Sequence, residues 1–293
     1  MRFLVSMIMV WVVLGAVNGL ARDVDEEPRQ AGPEVFPPRL SPGPTGNEFV
    51  KRTEMMAPQE REDAIYREVM RGNVPDHLKR FIPIFVSHLT AEGRVVNATV
   101  YVLPDYLAIG TNDDFVRIPM NFNTARRLAK ALGFMLPTRK IVDAIYQQAD
   151  IRLDPQPLGP GPGMCTSAAY LKHNQRINRQ AGDAADAFAL LAGHKKDVVI
   201  SASLAHAPDQ IAIYGWHRAD DEPIQHLSIA HGANYVDYSH GVRFISETVV
   251  VDGTPHSLFD VLETLELAPV LSYDGVYRNL RRIMHRISEP PSI

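Results

Sequence analysis

The chain has 293 residues, of which 45% are hydrophobic and 22% are charged, and its formal net charge is −4. These proportions are ordinary for a globular protein and provide enough apolar side chains for a sizeable core. Proteins that bind nucleic acid neutralise phosphates with clustered lysine and arginine, so the slightly acidic balance argues against nucleic acid as a partner.

The first 21 residues have the pattern of a secretory signal peptide. Arg2 precedes an apolar run over residues 3–14, and small residues lead up to Ala21. The pattern predicts cleavage after Ala21 and a secreted or periplasmic protein with no membrane span after cleavage. An uncleaved membrane anchor is the alternative, but the apolar run is shorter than the roughly 20 residues that a spanning helix needs.

Proline and glycine mark two segments that interrupt regular structure. Residues 22–48 are rich in both, which predicts a disordered linker before a globular domain at residues 49–293. A second such segment lies at residues 151–163. It leaves two organisations open, a single domain or two subdomains joined at that point.

Hydrophobic periodicity predicts the remaining elements. A helix over residues 60–71 comes before strands with period-two alternation. The strands are predicted at 82–89, 95–103, 106–110, 115–120, 198–204, 211–218, 223–228 and 242–251, and the further helices at 123–133, 137–149, 166–180, 257–265 and 277–287. Because strands and helices come in blocks rather than in strict alternation, we predict an α+β fold, a mainly antiparallel sheet with helices packed on it.

Charged residues beside predicted strands need partners or ligands. Arg117 lies in an apolar run, where a buried guanidinium requires a carboxylate, and Asp105, Asp113 and Asp114 are the nearby candidates. The His-Lys-Lys-Asp segment at 194–197 leads into a strand and would suit a substrate carboxylate or phosphate. A solvated loop is the alternative for that segment.

Histidines are concentrated in one part of the chain, with five of the eleven between His206 and His240. Within that part, His231, Asp237 and His240 are the candidate catalytic residues, because two imidazoles and a carboxylate supply a base and the acid that orients it. The same three side chains could instead hold a divalent metal as a two-histidine, one-carboxylate site. A purely structural turn is the third interpretation.

Four residues near this group are candidates for substrate binding: Tyr235, Tyr238, His217 and Trp216. Strand alternation predicts that His217 shares a face with Ile211 and Ile213, with Tyr214 and Trp216 on the opposite face. Aromatic rings there would suit stacking on sugar rings, although core packing is the commoner use.

Cys165 is the only cysteine, so no intrachain disulfide can form. It precedes a predicted helix, and a helix N-terminus lowers the pKa of a thiol. A cysteine that opens a helix, followed by a sheet that bears histidine, resembles in outline the NlpC-type cell-wall peptidases, which implies thiol hydrolysis by Cys165. Only position 165 corresponds, because Met164-Cys165-Thr166-Ser167 differs from the Asp-Cys-Ser signature of that family. A structural thiol is the alternative.

Signatures of α/β-hydrolases, kinases, zincins and dinucleotide-binding enzymes are absent from the sequence. The working hypothesis is a secreted or periplasmic hydrolase that acts on an extracellular or cell-envelope polymer through His231, Asp237 and His240; lyase chemistry is not separated from hydrolysis. One alternative is a non-catalytic envelope- or glycan-binding protein with an aromatic surface of Tyr214, Trp216 and Tyr238. The other is the cysteine hydrolase described above.

Overall fold

The computed structural model describes residues 35–39, 42–182 and 189–286. Within those ranges it contains eight α-helices and thirteen strands, and the strands pair mostly antiparallel. The predicted α+β fold is therefore confirmed. The predicted signal peptide and most of the predicted linker lie outside the described residues.

The helices are α1 (Gly46–Thr53), α2 (Pro58–Met70), α3 (Phe122–Leu132), α4 (Arg139–Gln147), α5 (Ser167–Ala181), α6 (Leu258–Glu263), α7 (Ala268–Leu271) and α8 (Leu280–His285). The strands are β1 (Ile82–Leu89), β2 (Val95–Val102), β3 (Ala108–Gly110), β4 (Phe115–Arg117), β5 (Phe134–Met135), β6 (Ile151–Arg152), β7 (Leu191–Ala192), β8 (Lys196–Val199), β9 (Ala212–His217), β10 (Pro223–Ser228), β11 (His240–Gly241), β12 (Ile245–Val251) and β13 (Thr254–Ser257).

The larger sheet has the order β1-β2-β12-β13, with β5 also paired to β12. All of its pairs are antiparallel. A tight turn at Asp252 and Gly253 joins β12 to β13, and both residues have positive φ, 46° and 81°. Glycine and aspartate tolerate that left-handed backbone better than most residues, which is why this pair ends the strand.

The second sheet carries the candidate site and has the order β10-β9-β8-β11. Its two longer pairs are antiparallel, but the two-residue strand β11 runs parallel to β8. In that pair His240 lies opposite Lys196, and Gly241 lies opposite Asp197. The parallel pairing therefore places His240 beside the His-Lys-Lys-Asp segment at 194–197.

Polar caps set the starts of the helices that support this sheet. Asn121 accepts from Thr124 N at the start of α3, and Thr138 accepts from Ile141 N at the start of α4. Gly133, with φ of 70°, ends α3. Thr166 caps α5 by accepting from Ala169 N. Side chains at these cap positions satisfy backbone amides that the first helical turn leaves free.

The predicted burial of Arg117 with an aspartate is confirmed. Its Nε lies 2.7 Å from Asp105 Oδ2, and His194 Nε2 lies 2.9 Å from the other oxygen, Oδ1. Burial opposes ionisation of Asp105, yet Arg117 and His194 hold the pKa of this carboxyl well below its ordinary value. Asp105 contacts both Arg117 of β4 and His194, and it thereby ties the β3–β4 hairpin to the segment that leads into β8.

Residues at the C-terminal end of the predicted linker pack on the domain. Phe36 is buried, with its ring edge-on to Phe134 at 5.5 Å between centroids. Arg39 Nη2 donates to Val74 O at 3.0 Å and to Gly110 O at 2.7 Å. Buried apolar side chains from Phe36 to Met284 form one hydrophobic cluster. Among the described helices, none combines the length and hydropathy that a bilayer span requires.

Candidate active site

A tight turn brings Asp237 and His240 together. Asp237 Oδ1 accepts from Ser239 N at 2.8 Å and from Ser239 Oγ at 2.6 Å, while His240 N donates to Asp237 O at 3.2 Å. An aspartate that binds the amide two residues ahead closes its own turn, so the Asp-Tyr-Ser-His sequence folds back locally. As a result His240 Nε2 lies 3.9 Å from Asp237 Oδ2, too long for a hydrogen bond but within ion-pair distance.

Tyr235 connects these two residues to His231. Its hydroxyl donates to Asp237 Oδ2 at 3.0 Å, and its ring meets the His240 ring edge-on at 5.7 Å. The ring of His231 stacks on Tyr235, with 4.1 Å between centroids and 18° between planes. Asp237 and His240 are only 3% and 1% exposed, whereas His231 is exposed. The three predicted catalytic residues are therefore neighbours, but only two of them are buried.

Electrostatics favour a neutral imidazole beside an ionised carboxylate. Burial lowers the pKa of His240, Asp237 opposes the shift, and Lys196 and Lys195 add to it. Burial works against ionisation of Asp237, but the hydrogen bonds from Ser239 and Tyr235 keep its pKa below the ordinary value. At neutral pH this pair holds an acceptor for a proton and a fixed negative charge next to it.

Both ring nitrogens of His240 lack a hydrogen-bond partner among the residues that the structure describes. Most buried polar atoms in folded proteins are paired, so an imidazole left with two free nitrogens is unusual. A histidine used only for structure normally hydrogen-bonds a carbonyl or a carboxylate. The nitrogens of His240 make no such bond, although its side chain is 0% exposed.

Cys165 lies next to the same tyrosine. It ends the 3-10 turn Pro162–Cys165, is half-buried, and lies close enough to Tyr235 for the two side chains to affect each other's pKa. Burial and the charge of Asp237 raise the pKa of the thiol, outweighing the lowering effects of Tyr235 and Arg61. The expectation that the helix N-terminus makes Cys165 a reactive thiolate is therefore wrong, because desolvation and a nearby carboxylate dominate.

The side chains do not assemble into a metal site. No group of three histidine, cysteine, aspartate or glutamate side chains within the described ranges has the arrangement that a metal ion needs. His231 is turned outward against Tyr235, so it does not join Asp237 and His240 in a shared coordination sphere. The geometry gives the two-histidine, one-carboxylate interpretation no support.

Tyr238 and Trp216, which the sequence suggested for substrate binding, are 2% and 5% exposed. The Tyr238 hydroxyl accepts from Leu158 N at 2.8 Å and donates to Leu158 O at 3.0 Å. These two bonds attach the Pro- and Gly-rich segment to the turn that carries Asp237. Tyr238 thus has its hydroxyl committed to the backbone rather than free for substrate.

His217 lies away from Asp237 and His240 and lines a cavity of its own. Its Nε2 lies 3.0 Å from Asp143 Oδ1, and the Tyr214 hydroxyl donates to the same oxygen at 2.9 Å. Strand alternation had placed His217 and Tyr214 on opposite faces, which is wrong, because Gly215 and Trp216 have positive φ, 103° and 59°, and interrupt the alternation. A cavity of about 370 Å³ lies here. Its lining includes Asp143, Tyr214, His217, Arg139, Tyr146, Glu222 and His226.

Two residues of this region were missed by sequence reasoning as site residues. Asp143 lies among apolar residues of α4, and nothing in its sequence context marks it. His173 had a detectable signal, because it falls on the buried face of α5 at helical spacing from Tyr170 and Ile177. A histidine on an apolar helix face either satisfies a core polar group or contributes to a site.

Comparison of the chain with protein-family models, with curated proteins and with solved structures found no match.

Proposed function

We propose that the protein is a hydrolase in which Asp237 and His240 form the acid–base centre. The observation that supports this most is the buried, neutral imidazole of His240, with both nitrogens unpaired, beside a carboxylate that Ser239 and Tyr235 hold in place. Structural histidines rarely combine these features. A general base needs them, because it must be unprotonated and free to accept.

In this proposal the two ring nitrogens have different tasks. Nε2 faces Asp237, so the carboxylate stabilises the positive charge that develops when the ring is protonated. Nδ1 is the nitrogen left to take a proton from water as the water oxygen attacks the substrate. The proton then passes from His240 to the leaving group, which restores the neutral imidazole. In this proposal the substrate reaches His240 past Tyr235, the half-buried ring that contacts both His240 and exposed His231.

The substrate class comes from the leader pattern at residues 1–21. A secreted or periplasmic hydrolase meets extracellular and cell-envelope polymers, so we propose one of these as its substrate. A binding protein that stacks sugars on Tyr214, Trp216 and Tyr238 is less well supported, since all three rings are less than 10% exposed. Lyase chemistry by the same base would use the same residues and would be distinguished by an unsaturated product.

The test compares His240→Gln and Asp237→Asn with wild type on dye-labelled cell-wall glycopeptide and extracellular polysaccharides. We expect each change to lower turnover roughly 100-fold or more, the usual contribution of a positioned base. His88→Gln on β1, in the other sheet, is the matched control and should leave turnover unchanged. Circular dichroism verifies that each variant is folded. Wild-type turnover by folded His240→Gln would contradict the proposal.

A further inference from the structure

A second group of unpaired polar atoms lies on the same sheet face as His240. Lys196 is the register partner of His240 across β8 and β11, so the two side chains project to the same side. The Lys196 ammonium lies 5.2 Å from the centre of the Trp216 ring. Within the described part of the chain, no carboxylate oxygen comes within 4.0 Å of this ammonium. Lys196 therefore lies close to the proposed base without an ion-pair partner; desolvation lowers its pKa and Asp237 opposes that shift.

Trp216 contributes a second free donor. Its ring is 5% exposed and its Nε1–H finds no acceptor among the described residues. An indole nitrogen can only donate a hydrogen bond, so the partner that Trp216 Nε1–H lacks is an acceptor. The positive φ of 59° at Trp216 turns this ring away from the Asp143 cavity and toward Lys196. Non-glycine residues seldom adopt that backbone region unless their surroundings hold them there.

His173 adds a third group with unmet hydrogen bonds. It is 0% exposed, and neither of its ring nitrogens has a partner in the part of the chain that the structure describes. Its ring lies edge-on to Trp216, with 6.2 Å between centroids, and 4.9 Å from Tyr238. Burial and nearby cations, with Lys195 foremost, lower its pKa, so His173 is neutral and carries one N–H donor.

These three groups have a common chemistry. Among the described residues, the buried donors of Trp216 and His173 lack acceptors, and the half-buried ammonium of Lys196 adds a positive charge against the Trp216 ring, with Asp237 as the acidic group that acts on it. Buried donors in a positive environment are satisfied by a group that brings negative charge and several acceptor atoms. We propose that Lys196, Trp216 and His173 form a binding site for an oxyanion, either a carboxylate or a phosphate group.

The position of the site connects it to the reaction. Because Lys196 and His240 are partners in register, a bound oxyanion lies beside the proposed base. The substrate is then an acidic polymer with a carboxylate or phosphate near the bond that is cleaved. This statement about the substrate rests on the proposed hydrolase function, whereas the oxyanion site itself does not.

Tryptophan fluorescence tests the site directly. The chain has two tryptophans, Trp11 and Trp216, so Trp11→Phe in the full chain leaves Trp216 as the only reporter. This variant is titrated with sodium acetate and with sodium phosphate at constant ionic strength, with chloride as the reference salt. We expect a saturable change in emission with at least one oxyanion. The affinities for acetate and phosphate are then compared. The anion that binds more tightly identifies the group, carboxylate or phosphate, that the polymer carries.

Variants in the Trp11→Phe background test which residues hold the anion. Lys196→Gln should weaken binding by roughly tenfold or more, because a charge-assisted hydrogen bond is lost, and Lys196→Arg should retain it. The exposed Lys130→Gln is the matched control and should bind like the parent. Absence of a saturable change in the folded parent, or equal weakening by Lys130→Gln and Lys196→Gln, would overturn the site.

His240→Gln separates this inference from the proposed function. Oxyanion binding that persists in His240→Gln while hydrolysis is unaffected would remove the hydrolase but leave the site. Loss of hydrolysis in His240→Gln without any oxyanion binding by the parent would remove the site but leave the hydrolase.

Discussion

The hydroxyl of Tyr235 donates to Asp237 Oδ2 at 3.0 Å, so a half-buried tyrosine fixes the carboxylate that faces His240. Asp237 thereby has hydrogen bonds on both oxygens, one set from Ser239 and one from Tyr235. A carboxylate held on both oxygens keeps its charge and its orientation, and both are needed to stabilise a protonated imidazole.

Removal of that hydroxyl should shift the titration of the site. Tyr235→Phe deletes the bond to Asp237, so we expect the pKa of Asp237 to rise and the acidic limb of the hydrolysis profile to move to higher pH. The free energy of unfolding should fall by about 1 kcal/mol, as for the loss of one hydrogen bond. Tyr101→Phe on β2, in the other sheet, is the control. An unchanged pH profile in Tyr235→Phe would show that the hydroxyl does not act on Asp237.

The buried Asp105–Arg117 pair should dominate stability among the charged residues. Asp105→Asn leaves Arg117 buried without its counter-charge, so we expect the free energy of unfolding to fall by about 3–5 kcal/mol. The exposed pair of Asp63 and Arg127, 2.7 Å apart, is the matched control, and Asp63→Asn should cost at most about 1 kcal/mol. Urea unfolding measures both, and similar losses in the two variants would contradict the prediction.

Glu62 predicts a specific pH dependence of stability. Burial raises its pKa to about 7 from the ordinary value of 4.5, although Thr124 and Asn121 donate hydrogen bonds that lower it. The folded protein therefore binds a proton that the unfolded chain does not between those two values. The associated stability is fully present below pH 4.5 and is lost as the pH rises through about 7.

Glu62→Gln should remove this contribution. We expect the difference in unfolding free energy between pH 5 and pH 8 to become smaller in Glu62→Gln than in wild type. The exposed Glu54→Gln should keep the wild-type difference. Urea unfolding at both pH values gives the comparison, and an undiminished difference in Glu62→Gln would rule out Glu62 as its source.

Cys165 should behave as an unreactive thiol. Its pKa is raised by burial and by Asp237, so we expect iodoacetamide at pH 7 to alkylate the folded protein more slowly than the urea-unfolded chain. Cys165→Ala should retain hydrolysis, because the proposed base does not act through sulfur. Rapid alkylation of the folded protein together with loss of turnover would reinstate the cysteine mechanism.

Local signals predicted the elements whose causes are local. The cap at Thr138 and the turn at Asp252 appear in the sequence because each residue bonds or bends its own neighbours. The helix predicted from residue 123 instead begins at Phe122, because Asn121 accepts from Thr124 N and caps it. The strand predicted at 198–204 begins earlier, at Lys196, and stops at Val199. Ser201 then accepts from Ser203 N and starts a 3-10 turn, a short-range contact that the apolar pattern concealed.

The candidate site was predicted only in part, because some of its contacts are local and others join distant parts of the chain. Asp237 and His240 are close because they lie in one turn, so the sequence identified them correctly as neighbours. The pairing of Lys196 with His240 joins residues far apart in the chain, and His173 arrives from a third element. Such contacts depend on strand order and helix packing, which hydrophobic periodicity does not specify.

The backbone at Gly215 and Trp216 directs neighbouring side chains of β9 toward two different groups of residues. The Trp216 ring contacts Lys196 and His173, whereas Tyr214 and His217 hydrogen-bond Asp143. A side chain at position 215 would adopt an unfavourable φ of 103° and press toward the Asp197 carboxylate, 3.3 Å from the new Cβ. Any replacement of Gly215 would strain the strand that holds both groups, so redesign of either group must leave this glycine in place.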